Sequence, residues 1–225
     1  MPLVEDGFDE EMKYFGKAVL PIKSMDRHGV VIYAGTFSKI LFPGLRIGWI
    51  AAEKACIDRL VSIQRASILS GNHLDQAALD RFCRLGYYDR HIKRMHRVYR
   101  KRMQTALRAM RDGFPSGRVT WTQPAGGYTI WVRVEGLGVE EETLVAHLAD
   151  QGVIVRPGRL HFYGPPGASH FRLSIAHLDE SEIEEGMRRL GKALAAWDSN
   201  RGGARDRRAQ ERLMAGPVSD KEHVI

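Results

Sequence analysis

The sequence predicts an α/β fold with a mostly parallel sheet, followed by a smaller α+β domain. Residues 30–34 are apolar without alternation, which is typical of a strand buried on both faces of a parallel sheet. Residues 119–197 alternate between strand-like and helix-like segments, which is the pattern of an α+β layer. A chain of 225 residues with 44% hydrophobic and 27% charged residues is long enough to bury a substantial core.

The individual elements are predicted from periodicity, caps and breakers. In the first part of the chain we expect strands at residues 2–6 (buried), 30–35 and 45–52, and helices at 53–70, 75–85 and from after Gly86 to about Asp112. In the second part we expect strands at 119–122, 127–134, 153–156 and 171–176, and helices at 140–151 and 180–197. Asn72 and Asp75 are candidate caps of one helix, and Asp179 with Glu182 forms a capping-box start for the last helix.

Shifts in composition divide the chain. Residues 113–117 are rich in glycine, proline and serine, and they predict a boundary between a domain at 1–112 and a second at 113–197. Residues 198–225 are polar, mixed in charge and aperiodic, which predicts a disordered tail.

The net charge of +7 raises the question of a nucleic-acid partner, because a basic run covers residues 90–102. Ile92, Met95 and Tyr99 recur in that run at helical spacing, which predicts an amphipathic helix with a basic, solvated face. Binding of a phosphate backbone by that face is the alternative, but no helix-turn-helix, zinc-finger or RNA-binding signature accompanies it. We therefore expect no direct nucleic-acid binding by this segment.

Other classes of protein are excluded by what the sequence lacks. No apolar run reaches the ~20 residues that a membrane span needs, and the first residues do not resemble a signal peptide. Cys56 and Cys83 lie within helical patterns and lack the spacing of metal ligands. We therefore expect reduced thiols, no metal site and no membrane partner, as in a cytoplasmic protein.

The most informative stretch follows the strand predicted at residues 30–35. It places Lys39 just beyond the strand, Thr36 and Ser38 beside the lysine, and Arg46 one loop further on. Desolvation at a buried strand end favours the neutral, nucleophilic form of an amine. Hydroxyl groups and a two-pronged guanidinium can hold a phosphate nearby. An amine beside a phosphate cradle is what a pyridoxal-phosphate protein needs to form its Schiff base.

The stretch 36–49 resembles the lysine motif of fold-type I, class I/II aminotransferases. More narrowly, it resembles the aminotransferase-like domain of MocR-type (GntR family) transcriptional regulators. The resemblance continues in the same order at residues 5–9, 76–79, 91–95, 124–128 and 171–174, and covers about residues 2–196. It implies that residues 1–112 are the C-terminal part of a large cofactor-binding domain, with the small C-terminal domain after it.

The resemblance implies a role for each residue of the lysine stretch. Lys39 would form the Schiff base with pyridoxal 5'-phosphate and later move a proton at the substrate Cα. Arg46 and Thr36 would bind the phosphate group, and Ser38 is the weaker candidate because it points to the opposite side of an extended stretch. The alternatives are a lysine that reaches solvent and an arginine in a surface ion pair.

Three further residues receive roles from the resemblance. Asp6, at the end of the first predicted strand, would keep the ring nitrogen of the cofactor protonated, with a turn cap as its alternative role. Phe8 stands where relatives usually carry a tyrosine whose hydroxyl bonds the cofactor, so that donor is lost. Arg172, in an apolar strand where it needs a partner, would hold the substrate α-carboxylate. A structural ion pair is the alternative role for Arg172. Arg156 and Arg159 are weaker candidates for binding the substrate carboxylate.

The resemblance implies transfer of an amino group between an amino acid and a 2-oxo acid, by a protein that is a homodimer when whole. The alternative is the effector-sensing domain of a MocR-type regulator without its DNA-binding domain. The earlier half of the large domain, with its glycine-rich phosphate loop and ring-stacking aromatic residue, has no counterpart in the sequence. We therefore expect a truncated sequence, exposed sheet edges at its first strands, and poor transaminase activity of the chain alone.

Overall fold

The chain divides into two compact units. The computed structural model describes residues 1–136, 140–197 and 223–224. The first unit comprises residues 1–97 with 125–127, and the second comprises residues 98–124 with the described residues from 128 onwards. The domain boundaries predicted from the sequence stay a prediction.

The first unit contains a three-stranded sheet in the order β1–β2–β3. Its strands are β1 (Leu3–Asp6), β2 (Val31–Thr36) and β3 (Gly48–Ala51). The pair β1–β2 is parallel and the pair β2–β3 is antiparallel, so the part of the predicted sheet that is described here is mixed.

The expectation that the first strand is buried was wrong. Within the described residues, strand β1 pairs with β2 alone, and Leu3 and Val4 are 42% and 69% exposed. Strand β2 lies in the centre and buries Val31 and Tyr33, while Ile32 and Ala34 on its other face are partly exposed.

Three helices follow the sheet, close to the predicted positions: α1 (Lys54–Ile68), α2 (His73–Arg84) and α3 (Tyr87–Gly113). Asn72 is the N-cap of α2, since its side chain accepts a hydrogen bond from the backbone N–H of Asp75 at 3.2 Å. Helix α1 has no buried residue, although its sequence carries an apolar stripe. None of the described helices has the length and hydropathy needed to cross a membrane.

The second unit is built on an antiparallel sheet in the order β4–β5–β8–β7. Its strands are β4 (Val119–Trp121), β5 (Thr129–Val134), β7 (Arg156–Pro157) and β8 (Ser169–Ser174). Strand β6 (Val153–Ile154) pairs instead with β9 (His223–Val224). The other residues of the predicted disordered tail lie outside the described part of the chain.

One face of the antiparallel sheet forms the core of the second unit. Its apolar side chains are fully or almost fully buried and include Ile130, Val132, Phe171 and Leu173. Helices α4 (Glu141–Asp150) and α5 (Glu180–Ala195) bury their own apolar stripes in the same unit. The predicted capping box of α5 is confirmed, because Asp179 and Glu182 each accept the other's backbone N–H.

A buried carboxylate fixes the start of strand β2. The Asp26 side chain accepts the backbone N–H of Val31 at 2.9 Å and the ammonium of Lys23 at 3.0 Å. These contacts, led by the N–H of Val31, hold the pKa of the Asp26 carboxyl well below its usual range.

Replacing Asp26 with Asn is expected to lower the free energy of unfolding at neutral pH, because the amide cannot accept these bonds as an anion does. A depressed folded-state pKa gives stability that is present above the unfolded value, near 4, and lost as the pH falls through the folded value. Urea unfolding of both proteins between pH 7 and pH 2 should therefore show that the difference between their free energies of unfolding closes only in strong acid. Asp58→Asn, at an exposed ion pair with Lys54, is the control. A difference in unfolding free energy that is independent of pH would contradict this account.

Candidate functional site

The loop between β2 and β3 carries most of the residues predicted for the site. The antiparallel ladder pairs Thr36 with Gly48, and the N–H of Phe37 then donates to the carbonyl of Ile47 at 3.0 Å. The loop is therefore closed at its base, and both of its ends lie side by side. Lys39 lies on the outgoing side of this closed loop and Arg46 on the returning side.

Helix α3 holds the turn that contains the lysine. The Nε2–H of His91 donates to the carbonyl of Ile40 at 2.8 Å, and the Phe37 ring packs edge-on against Tyr88 with centroids 5.6 Å apart. Ser38 and Ile40 are buried while Lys39 between them is exposed. The water-poor lysine expected from the sequence is thus not observed, because Lys39 lies in the turn beyond the strand rather than in the sheet.

The donor groups of this loop fit a phosphate. The hydroxyl of Thr36 accepts the N–H of Ser38 at 3.1 Å and donates to the carbonyl oxygen of Ile47 at 3.4 Å. Residues 37–47 include two cationic side chains and no carboxylate. Hydroxyls, an ammonium and a guanidinium together suit a dianion, and an acid in the loop would have opposed one.

Arg46 has an unusual backbone conformation. It follows the short 3-10 turn Pro43–Leu45 and has φ 50° and ψ 30°, in the left-handed region. A residue with a Cβ loses about 1–2 kcal/mol in that region, and such strained positions concentrate at functional sites. The local structure therefore holds Arg46 in one orientation, at the cost of a strained backbone conformation.

The strain predicts a difference between two variants that both remove the guanidinium. Arg46→Gly should be more stable to urea than Arg46→Ala by about 1 kcal/mol, because glycine adopts the left-handed region freely. Both variants should bind inorganic phosphate more weakly than the parent chain. Equal unfolding free energies in the two variants would mean that Arg46 is not strained.

Asp6 projects from the same face of the first unit's sheet as Thr36. It lies opposite Ala34 in the parallel pair. Ala34 and Thr36 are two residues apart in β2 and therefore lie on the same face. Phe8 follows in the next turn and is 43% exposed. Burial and the nearby charge of Asp6 raise the pKa of the Asp9 carboxyl, so acidic side chains gather where this strand ends.

The turn after β1 is anchored by tyrosines. The hydroxyl of Tyr33 donates to Glu10, and that of Tyr88 donates to Glu11 at 2.8 Å. Burial and these carboxylates raise the pKa of both phenols.

The glycine pair at 126–127 packs against this turn as well. A Cβ on Gly126 would lie 2.4 Å from the carbonyl oxygen of Met12, and the N–H of Gly127 donates to that oxygen at 3.0 Å. The backbone of the glycine pair therefore closely approaches residues 12–13. A cavity of about 430 Å³ opens here, with Asp9, Glu10, Glu11 and Lys13 in its wall.

Arg172 lies in the second unit, in the centre of strand β8. It is paired directly with Trp131 on β5 and with Arg156 on β7. Its Nε is buried and has no hydrogen-bond partner within the described part of the chain. A buried guanidinium donor without an acceptor is costly, so this position is suited to an anionic ligand.

A carboxylate that the sequence did not single out fixes the backbone near Arg172. Glu141, in the first turn of α4, is 6% exposed and accepts the N–H of Arg159 at 2.8 Å and of His170 at 3.0 Å. These two N–H groups belong to the segments that follow β7 and that form β8. Glu141 therefore joins the strands that carry Arg156 and Arg172.

Glu141→Gln is expected to lose about 1–3 kcal/mol of unfolding free energy, because one buried N–H is left without an acceptor. Glu142→Gln is the matched control, since its exposed ion pair with Arg159 contributes about 0–1 kcal/mol. Urea unfolding of both variants measures the difference. Similar losses in the two variants would show that Glu141 does not hold the strands together.

Sequence reasoning also missed His91. The sequence did carry a signal for it, because His91 lies next to Ile92 of the apolar face of the basic helix, and a polar side chain in that position needs a hydrogen-bond partner. No periodicity, however, shows that this partner is a carbonyl in the lysine turn.

Comparisons with known proteins agree with these observations. The family model for aminotransferase class I and II matches residues 6–190. Aromatic-amino-acid aminotransferase 1 of Thermococcus litoralis is 36% identical over 192 residues, which are 85% of this chain and 46% of that protein. The probable rhizopine catabolism regulatory protein MocR of Rhizobium meliloti is 31% identical over 88% of this chain and 40% of its own length.

A solved structure gives the same result for the fold. The α-aminoadipate aminotransferase LysN from Thermus thermophilus, in complex with N-(5'-phosphopyridoxyl)-L-leucine, matches with a TM-score of 0.79 and 31% identity. The match covers 88% of this chain and 51% of that chain. The chain thus spans about half the length of the relatives that it matches.

Proposed function

The chain belongs to the family of class I and II aminotransferases, and we propose that it binds pyridoxal phosphate and acts in amino-group transfer between an amino acid and a 2-oxo acid. The observation that carries the proposal is the closed loop 37–47 with Thr36 at its base, which combines an exposed amine, the hydroxyls of Thr36 and Ser38 and a strained arginine without an acid. A homodimer in the whole protein and a cytoplasmic location belong to the same proposal. So does the division into a cofactor-binding part at 1–112 and a small domain at 113–197.

Each residue of the loop has a defined task in this proposal. Arg46 and the hydroxyl of Thr36 bind the phosphate, with Ser38 as a weaker donor because its side chain is buried. Lys39 is the covalent attachment point and, once released, carries the proton at the substrate Cα. Pyridoxal phosphate supplies an aldehyde that condenses with amines and a ring that accepts the electrons released at the Cα.

The remaining residues act on the ring and on the substrate. Asp6, on the same sheet face as Thr36, keeps a proton on the ring nitrogen by its negative charge. Arg172 holds the substrate carboxylate with a buried donor that has no other acceptor in the described residues. The side chain of the substrate is left open by the relatives, since one is named for aromatic amino acids and another for α-aminoadipate.

A second candidate function is the sensing of an amino-acid effector within a transcriptional regulator. The relative named MocR supports it. Phe8 supports it as well, because phenylalanine lacks the hydroxyl that the catalytic relatives of this motif usually offer to the cofactor. A sensor would use the same cofactor and the same Arg172 but would release its ligand unchanged.

Cofactor attachment is the first test. The chain is mixed with pyridoxal phosphate, reduced with borohydride and digested, and the masses of its peptides are measured by mass spectrometry. The pyridoxyl mass is expected on the peptide that holds Lys39 and should be lost in Lys39→Ala. Arg46→Ala should raise the cofactor concentration for half-maximal labelling by about tenfold or more, at ~1.5–3 kcal/mol for a charged contact.

Lys54→Ala is the control, since Lys54 is an exposed lysine paired with Asp58 outside the loop. Labelling that is spread over surface lysines and insensitive to Lys39→Ala would refute the proposal. Incubation of the whole cofactor-loaded protein with an amino acid then separates the two functions, because an enzyme forms the 2-oxo acid and a sensor binds without forming it.

A further inference from the structure

Four arginines lie on or next to the polar face of the second unit's sheet, and they fall into two classes. Arg133 pairs with Glu135 at 3.2 Å, and Arg159 pairs with Glu142. Arg156 and Arg172 have no ion pair among the described residues. The two arginines without a carboxylate are the two that face each other across β7 and β8.

Direct register makes this pair unusual. Residues that are paired across antiparallel strands have Cβ atoms about 4.5–5.5 Å apart and point to the same face, and like charges in that position repel. Among the described residues, no carboxylate forms an ion pair with either guanidinium group. The arrangement becomes favourable when an anion with sufficient charge lies over both guanidinium groups.

The two sides of Arg172 differ in chemistry. On the β5 side, Trp131 packs with His161, Phe162 and His170 at centroid distances of 5.4–6.0 Å, which makes an aromatic wall. On the β7 side lies Arg156, exposed on the edge strand of the sheet. A second acidic group on a ligand of Arg172 would therefore be bound on the β7 side.

We propose that Arg156 is a specificity-determining residue that binds a second carboxylate, and that the ligand is a short dicarboxylic amino acid or 2-oxo acid. The inference rests on the proposed role of Arg172 for the first carboxylate. Two guanidinium groups carry two charges, and a dicarboxylate neutralises both, whereas a single carboxylate leaves one unmatched. Glu141 maintains the spacing, because it bonds the backbone beyond β7 and within β8.

Calorimetric titration of the 225-residue chain with glutarate and pentanoate tests this inference. The two acids have the same number of carbons and differ in the second carboxylate. Glutarate should bind about tenfold or more tightly than pentanoate, as one additional charged contact implies. Arg156→Gln should weaken glutarate binding to the level of pentanoate and leave pentanoate unchanged, and Arg156→Lys should retain part of the preference.

Arg133→Gln is the matched control, because it removes one positive charge from the same sheet face at a site that already has a partner. It should retain the preference for glutarate. A preference that survives Arg156→Gln, or its absence in the parent chain, would overturn the inference. Circular dichroism of each variant excludes misfolding as the cause of a loss.

Arg172→Gln separates this inference from the proposed function on which it rests. It should weaken both acids, and if pentanoate binding persists, the proposed role of Arg172 is wrong. If Arg172→Gln weakens both acids while Arg156→Gln changes neither, only the role of Arg156 is wrong. The titration needs no cofactor, so its result is independent of the labelling at Lys39.

Discussion

The antiparallel pairing of β2 with β3 is the constraint on which the candidate cofactor site depends. It closes the loop 37–47 at its base and brings Thr36 and Arg46 to the same end of the sheet. Close packing fixes the register, because a Cβ on Gly35 would lie 2.5 Å from the Trp49 ring, and one on Gly48 would lie 2.9 Å from the carbonyl of Gly35. A slip of β3 by one residue would turn its side chains to the opposite face of the sheet and displace Arg46 relative to Thr36.

The local part of the fold could be predicted from the sequence because its signals are local. The capping box of α5, the cap at Asn72 and the periodicity of α3 each depend on a few neighbouring residues, and all three are found. Burial was harder to predict, since an apolar strand or stripe does not show what covers it. Strand β1 begins with apolar residues and helix α1 has an apolar stripe, and yet β1 has Leu3 and Val4 exposed and α1 has no buried residue.

The candidate site divides along the same line. Residues close in sequence, such as Thr36, Ser38 and Arg46, could be grouped from the motif alone, although their roles stay predictions. Glu141 could not be recognised, because an acid in the first turn of a helix is favoured by the helix dipole in any protein. Its two backbone partners follow β7 and lie in β8, so only the packing of α4 on the sheet reveals its role.

Both units hold cations in positions that cost free energy without a ligand. Arg46 occupies a left-handed backbone conformation in the first unit, and Arg172 has a buried donor without a partner among the described residues and a like charge opposite in the second. Neither feature improves the stability of its unit, because a relaxed turn or an apolar residue would cost less. Anions bound at these arginines would offset the two costs, and the groups are already oriented to receive them. The two arginines are then ordered already when the chain folds. Less of the free energy of each ionic contact is therefore lost in ordering these side chains when a ligand binds.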